Sequence, residues 1–189
     1  MGGVLVLLNG PAAVGKSTIA ERLIGLRPLA LNLDIDAIRG QLGRWLDIPT
    51  EAGLSARALA ISMISTHLAA GHDVVVPQLL MRHDFIRELE AAAAAADATF
   101  VELALDIDRA EAASAFDARS DAPTQTTHRD AADLVERSSA DDAVGDMYDA
   151  LRDLLDSRPL CTRVPAPRGD IAGTLAAVRG ALSEHGIEW

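Results

Sequence analysis

The residues with the clearest capacity for chemistry surround the chain's only lysine, Lys16; all sixteen other cationic side chains are arginines. Lys16 lies in the segment G-P-A-A-V-G-K-S, which runs from Gly10 to Ser17 and fits the pattern G-x-x-x-x-G-K-S. In such a loop, backbone N–H groups surround a nucleotide's phosphates, the lysine reaches the β/γ oxygens, and the serine hydroxyl binds Mg²⁺. A flat guanidinium would not replace the compact ammonium group in a curled loop. We therefore expect phosphate binding by Gly10, Ala12, Ala13, Val14, Gly15, Lys16, Ser17 and Thr18, with Ser17 as the metal ligand.

The elements that flank this loop support the same interpretation. The apolar run over residues 4–8 predicts a buried parallel strand, and residues 18–24 carry apolar side chains at helical spacing. A helix that begins directly after the loop adds oriented N–H groups and the positive end of its dipole. Strand, loop and helix thus occur in the order that phosphate binding requires.

A second group of polar residues, D-x-D-x-x-R, follows the next predicted strand. Its members are Asp34, Asp36 and Arg39. Ligands of open α/β sheets bind beyond the carboxyl ends of the strands, where a carboxylate could accept the proton of an attacking hydroxyl. Arg39 falls one helical turn after Asp36 and could hold an anion. Two alternatives remain open: Asp36 could merely cap the following helix, and either Asp34 or Asp36 could be the base.

A polar segment over residues 120–129 follows Arg119, ends at Arg129 and contains one proline and four Ser or Thr residues. We interpret residues 117–130 as a lid whose arginines could stabilise charge on a transferring phosphoryl group. The alternative is a solvated loop with two ordinary surface arginines. The guanine-specifying N-K-x-D pattern needs a second lysine, which the chain lacks, so adenine is the expected base. The turn over residues 165–169 is placed to contact it.

Composition bounds the class of protein. A length of 189 residues predicts one domain, residues 1–189, and 49% apolar residues suffice for a core. The net charge of −11 makes nucleic acid an unlikely partner, because a sequence-independent grip on phosphates needs cationic surface. One cysteine, no leader pattern and no long apolar run predict a cytoplasmic protein without a membrane span.

The rest of the chain alternates between strand and helix patterns, which predicts an α/β fold with a parallel sheet covered by helices on both faces. Residues 49–53 and 120–129 read as loops. The expected further strands span residues 29–33, 74–76, 99–105 and 160–164. The expected further helices span residues 37–42, 54–70, 82–96, 108–119, 131–156 (with a break near Gly145) and 171–182.

The order of these motifs resembles that of the small P-loop phosphotransferases, which include chloramphenicol phosphotransferase, gluconate kinase, the kinase domain of polynucleotide kinases, and zeta toxins. The resemblance implies a P-loop NTPase fold with a five-stranded sheet in the order 2-3-1-4-5 and a small lid. It also implies that Asp36 is the general base. This chain departs from many relatives in having the neutral Gln78 after the third strand and Phe116 in place of a lid arginine. Phe116 could stack on adenine or belong to the core.

Together these features predict an ATP- and Mg²⁺-dependent kinase that transfers the γ-phosphate to a hydroxyl of a small molecule. Its catalytic residues would be Lys16, Asp36 and Arg119, and the acceptor would contact Asp34, Asp36, Arg39, Gln78 and Arg82. Apolar residues 79–81 would suit an antibiotic, whereas Arg39, Arg82 and Arg87 would suit an anionic sugar or nucleotide. A regulatory ATPase that uses the acidic region 131–156 as a contact surface, and a toxin that phosphorylates nucleotide sugars, are the remaining alternatives. The sequence does not indicate an oligomeric state.

Overall fold

A computed structural model describes residues 2–121 and 142–189. Five parallel strands form one sheet in the order β2-β3-β1-β4-β5, as the resemblance implied. The strands are β1 (Val4–Asn9), β2 (Leu31–Asn32), β3 (Val74–Pro77), β4 (Thr99–Asp106) and β5 (Thr162–Pro165). The helices are α1 (Lys16–Ile24), α2 (Ile35–Gly40), α3 (Pro49–Ala69), α4 (His83–Ala95), α5 (Arg109–Asp121), α6 (Ala143–Asp156) and α7 (Ile171–Glu184), with a 3₁₀ turn at Trp45–Asp47.

Helices cover both faces of the sheet, which is why the central strand is apolar at successive positions. All six residues of β1 are buried. On one face, β1 packs against α1 and α7 through residues such as Leu23 and Val178. On the other, it packs against α3 and α4 through residues such as Ile64 and Leu89. The core therefore lies on both sides of one sheet, and the polar residues that follow the strands gather at its carboxyl edge.

One helix boundary differs from the sequence prediction, and another lies close to the predicted position. Residues 49–53, predicted as a loop, form the first turn of α3, because Pro49 occupies a starting position where its missing N–H costs no hydrogen bond. The predicted break near Gly145 is close to an observed boundary: Asp142 is not helical, and α6 begins at Ala143, two residues before this buried glycine. Asp142 caps that helix by accepting a hydrogen bond from the Gly145 N–H at 2.9 Å.

The predicted second strand is longer than the observed β2, which pairs with β3 only through Leu31 and Asn32. The predicted loop over residues 120–129 is corrected at its start, because α5 continues to Asp121. The rest of the predicted lid, with His128 and Arg129, and the start of the predicted acidic helix lie outside the described residues.

Candidate active site

The loop between β1 and α1 has the backbone geometry that curls N–H groups toward an anion. Gly10 has φ of 142°, and a Cβ atom there would lie 2.8 Å from the Leu105 carbonyl oxygen. Gly15, the residue before α1, has φ of 100°. Side chains rarely adopt either conformation, so both positions require glycine. Ala13 also adopts positive φ, at 64°, although it has a side chain.

Lys16 is held inside this loop by its own backbone. Its Nζ donates hydrogen bonds to the carbonyl oxygens of Gly10 at 2.9 Å and Pro11 at 2.7 Å. Burial of the ammonium group, together with the nearby charge of Arg119, lowers the pKa of Lys16 to about 7, while Asp36 and Asp34 act in the opposite direction. Lys16 as a whole keeps partial exposure, and a phosphate bound in the loop would favour its charged form.

Asn9, which the sequence analysis did not single out, fixes the start of the loop. This residue is fully buried. Its Oδ1 accepts hydrogen bonds from the N–H groups of Gly10 at 2.9 Å and Leu80 at 3.0 Å, and its Nδ2 donates to the Leu80 carbonyl oxygen at 3.1 Å. Asn9 therefore ties the phosphate loop to the segment after β3. The sequence feature that could have identified Asn9 is the position of a polar residue directly between an apolar strand and Gly10.

The helix cap at α2 is Asp34 and not Asp36, which corrects one of the sequence-based alternatives. Asp34 Oδ1 accepts hydrogen bonds from the N–H groups of Asp36 at 2.9 Å and Ala37 at 3.2 Å. Burial raises the pKa of Asp34, and the neighbouring charge of Asp36 adds to this rise. Asp34 thus positions the helix, and this leaves the Asp36 side chain free of any capping role.

The Asp36 carboxylate lies between two side chains that were predicted to contact the acceptor. Its Oδ1 is 3.0 Å from Arg39 Nη2, and its Oδ2 accepts a hydrogen bond from Gln78 Nε2 at 3.3 Å. The Arg39 guanidinium in turn lies 4.7 Å from the ring centre of Trp45, a cation–π contact. The carboxylate side chain remains 38% exposed, so it is both oriented and accessible.

Arg119, on the last turn of α5, belongs to the same electrostatic group. Burial lowers its pKa, and the charge of Asp36 counteracts this effect. Its guanidinium lies 5.4 Å from the ring centre of Phe116. Phe116 is buried and is not among the residues that line the nearby cavity, so it supports Arg119 and the predicted adenine-stacking role is not observed.

A cavity of about 200 Å³ opens on the opposite side of the phosphate loop. Loop and α1 residues Ala13, Val14, Gly15 and Thr18 form one wall, and the turn after β5 forms another. That turn is fixed by a hydrogen bond from the Arg168 N–H to Glu111 Oε1 at 3.0 Å. The predicted base-contacting turn therefore lines a cavity that shares residues with the phosphate loop.

Other predicted acceptor residues are not part of the Asp36 group. Arg82 is exposed at the start of α4 and makes no hydrogen bond or ion pair with any described residue. Leu80 is a core residue, and Leu79 and Met81 pack against a small cluster around Leu151. The apolar residues that would have suited an antibiotic are thus structural.

The described residues hold no cluster of three or more His, Cys, Asp or Glu side chains suited to a metal ion. In a P-loop, a magnesium ion would bind mainly phosphate oxygens and water and would need few protein ligands. The Ser17 hydroxyl, in the first turn of α1 beside Lys16, is a ligand of the right kind. Within the described ranges, no helix has the length and apolar character needed to cross a bilayer.

Comparisons with known proteins agree with this architecture. Mycobacterium tuberculosis APS kinase in complex with AMPPNP and APS superposes with a TM-score of 0.60 at 17% identity, over 96% of this chain and 98% of that chain. A gluconokinase from Sinorhizobium meliloti 1021 gives a TM-score of 0.54 at 15% identity, over 97% and 94% of the two chains. At such identities the likeness shows the fold alone, that of small P-loop kinases.

Sequence comparison gives the family directly. No curated protein matches the chain significantly. The AAA domain model, in contrast, matches residues 5–140, a span that begins in β1 and takes in the phosphate loop, the Asp36 group and Arg119. The chain therefore belongs to the AAA domain family.

Proposed function

We propose that this protein is a kinase that transfers the γ-phosphate of ATP to a hydroxyl group of a small molecule. The observation that carries the proposal is the position of Asp36, an accessible carboxylate whose charge acts on both Lys16 and Arg119. A phosphate-binding loop alone would serve any nucleotide hydrolase or switch. A carboxylate whose charge acts on the lysine and that is held by two polar side chains can accept the proton of an alcohol.

The chemistry follows from these positions. The acceptor hydroxyl attacks the γ-phosphorus while the bond from that phosphorus to the β,γ-bridging oxygen breaks, and ADP leaves. The hydroxyl proton passes to Asp36, which contributes about 10²- to 10⁴-fold to the rate as a general base. Lys16 and Arg119 stabilise the charge on the transferring group, a contribution that we expect to be larger. Arg39 orients Asp36 through their ion pair.

The remaining predicted residues take supporting roles. The loop residues Gly10 and Ala12–Thr18 hold the phosphates, and the cavity beside Pro167 and Gly169 takes the adenine base. Mg²⁺ would be held by Ser17 and the phosphates, and when bound it neutralises phosphate charge. Arg129 and the lid remain proposals, since they lie largely outside the described residues. Arg82, exposed and unpaired among the described residues, is proposed only as an outer contact for the acceptor.

A first experiment measures ATP consumption against a panel of sugars, sugar acids, nucleosides and antibiotics, with mass detection of the phosphorylated acceptor. We expect little turnover without an acceptor and a marked increase with the right alcohol. A regulatory ATPase would instead consume ATP at the same slow rate with every alcohol on the panel. A toxin that modifies nucleotide sugars would select those compounds.

Asp36→Asn tests the base assignment. This change keeps the volume and removes the proton acceptor, so we expect kcat to fall by about 10²- to 10⁴-fold while ATP affinity, measured by calorimetry, stays nearly unchanged. Asp47→Asn is the matched control, because Asp47 is exposed and pairs only with the exposed Arg44. Wild-type turnover by Asp36→Asn would show that Asp36 is not the base.

A further inference from the structure

The amide of Gln78 has a fixed orientation. A carboxylate can only accept hydrogen bonds, so the NH₂ end of the amide must face Asp36. Nε2 donates to Asp36 Oδ2 at 3.3 Å, and Oε1 must therefore point elsewhere. Donor and acceptor chemistry alone therefore fixes which end of the amide faces the carboxylate.

The other end of the same amide is unsatisfied. Gln78 Oε1 is shielded from solvent and accepts no hydrogen bond from the described residues. A buried acceptor without a donor costs about 1–3 kcal/mol, and native structures rarely leave such a group without a reason. Gln78 as a whole is partly exposed, so the same side chain is shielded at Oε1 and open to solvent elsewhere.

Two neighbouring donors share this property. Arg39 Nε and Arg119 Nε are also buried and unpartnered among the described residues; Arg39 forms an ion pair with Asp36, and the charge of Asp36 acts on Arg119. The atoms around Asp36 thus have unused hydrogen-bonding capacity on several sides. A group of this kind is completed by a polar ligand, and an apolar one would leave the capacity unmet.

We propose that Gln78 orients Asp36 through Nε2 and accepts, through Oε1, a hydrogen bond from a second hydroxyl of the acceptor. This inference rests on the proposed function and names its substrate class. The amide's covalent dimensions place Oε1 no more than about 5.5 Å from Asp36 Oδ2. Two hydroxyls on neighbouring carbons can each donate over about 2.8 Å to these two oxygens. We therefore expect a polyol acceptor with adjacent hydroxyl groups, such as a sugar, a sugar acid or a ribonucleoside.

The test uses matched acceptors and one substitution. Glucose is compared with 2-deoxyglucose, ribose with 2-deoxyribose, and adenosine with 2′-deoxyadenosine, each pair differing by one hydroxyl. For the pair that is phosphorylated, we expect the wild-type protein to favour the diol in kcat/KM by about 10- to 100-fold, the equivalent of an unpaired buried polar group. Gln78→Met has a similar volume and no amide, and it should abolish this preference.

Gln41→Met is the matched control. Gln41 is an exposed residue at the end of α2, and its side chain donates one hydrogen bond, to the Ala37 carbonyl oxygen at 3.3 Å. It should keep the preference. An equal kcat/KM for diol and deoxy compounds in the wild type, or a preference retained by Gln78→Met, would overturn the inference. Neither result would contradict the proposed kinase activity. Absence of transfer to any alcohol would overturn the proposed function itself.

Gln78→Glu tests the positioning role separately. A second carboxylate beside Asp36 disfavours its ionised form and raises its pKa. The acidic limb of the pH profile of kcat/KM should therefore move to higher pH in Gln78→Glu, whereas Gln78→Met should lower kcat without such a shift. An unchanged acidic limb in Gln78→Glu would show that Gln78 does not contact the base during the reaction.

Discussion

The charge of Lys16 has a cost in the folded protein that nucleotide binding relieves. In the free protein its pKa is about 7, whereas the ordinary value is 10.5. Below pH 7 both the folded and the unfolded chain hold the proton, and the fold bears the full cost of the buried charge. Between pH 7 and 10.5 only the unfolded chain holds it, so this cost decreases and stability rises with pH.

Lys16→Met should therefore differ from the wild type in a pH-dependent way. We expect the variant's gain in free energy of unfolding to be largest below pH 7 and to shrink as the pH rises toward 10.5, by at most about 1.4 kcal/mol per pH unit. Because Lys16 is partly exposed, solvent screening makes the measured slope smaller. Denaturant unfolding of nucleotide-free protein with a chelator, from pH 6 to 9, gives the slope, and a difference independent of pH would contradict the buried charge.

Ala13 is a further residue of interest, because its backbone conformation is unfavourable for a residue with a side chain. Its φ of 64° lies in the left-handed region, which costs a residue with a side chain about 1–2 kcal/mol. Ala13→Gly removes this cost but adds freedom to the unfolded chain, about 0.4–1 kcal/mol. We expect a net stabilisation of about 0.5–1 kcal/mol in thermal melts. Ala58→Gly, on the exposed face of α3, should destabilise by about 1 kcal/mol, and a loss of equal size in Ala13→Gly would contradict the strain.

Which site residues could be predicted depended on how local their signals are. The phosphate loop is contiguous, so its pattern identifies every member. The grouping of Asp36 with Arg39 follows from helical spacing, whereas the contact of Arg39 with Trp45 depends on a turn between them that no pattern encodes. Asp34 and Asp36 both suit a helix cap, and only backbone geometry distinguishes them. The roles of these residues in catalysis, and that of Arg129, stay predictions.

Among the elements, α2 depends most on a single side chain. It spans only Ile35–Gly40, too short to be stable on its own, yet it carries Asp36 and Arg39. Asp34→Ala should remove about 1 kcal/mol of cap energy and lower kcat by displacing the helix. Asp34→Ser keeps a capping oxygen without the charge, so we expect it to retain most of the activity in the same steady-state assay.

The serine variant also distinguishes the two candidate bases. If Asp34→Ser is as inactive as Asp36→Asn while its stability is unchanged, then Asp34 and not Asp36 takes the proton. Equal losses in Asp34→Ala and Asp34→Ser would show that the charge matters and the cap does not.

The periodic elements were predicted well because their burial is simple. β1 and β3 are buried and mostly apolar, β4 is buried along its middle, and α4 has one apolar face. The errors fall where two rules compete. Pro49 and Gly53 suggested a loop, but a proline in the first turn is compatible with a helix. Gly145 suggested a break, and α6 does begin two residues before it, where Asp142 caps the first turn by accepting the Gly145 N–H.

At the scale of the whole molecule, one buried ion group ties α4, β4 and the segment after α6 together. Glu102, on β4, is buried with 4% exposure. Arg158 pairs with Glu102 and, at 2.5 Å, with Glu90 of α4. Burial raises the pKa of Glu102, while Arg158 acts to lower it. Without its arginine, the buried carboxylate would lose its main compensating charge.

Arg158→Met should therefore destabilise the protein by about 3–5 kcal/mol, the cost of breaking a buried pair. Arg163→Met is the control, because Arg163 pairs with Asp156, whose side chain is 70% exposed, and such pairs contribute about 0–1 kcal/mol. Denaturant midpoints measure both. Similar losses in the two variants would show that the Arg158 group is no more than a surface pair.

The stacking of Arg39 on Trp45 also gives the protein an intrinsic optical reporter. The chain has two tryptophans, and the other, Trp189, donates its indole N–H to the Leu23 carbonyl oxygen within the core. In a Trp189→Phe protein, all tryptophan fluorescence would come from Trp45. The arginine stacked on Trp45 is Arg39, which also forms the ion pair with Asp36. Any compound that draws Arg39 toward itself alters that emission, so unlabelled protein and a fluorimeter suffice to titrate candidate acceptors before any turnover is measured.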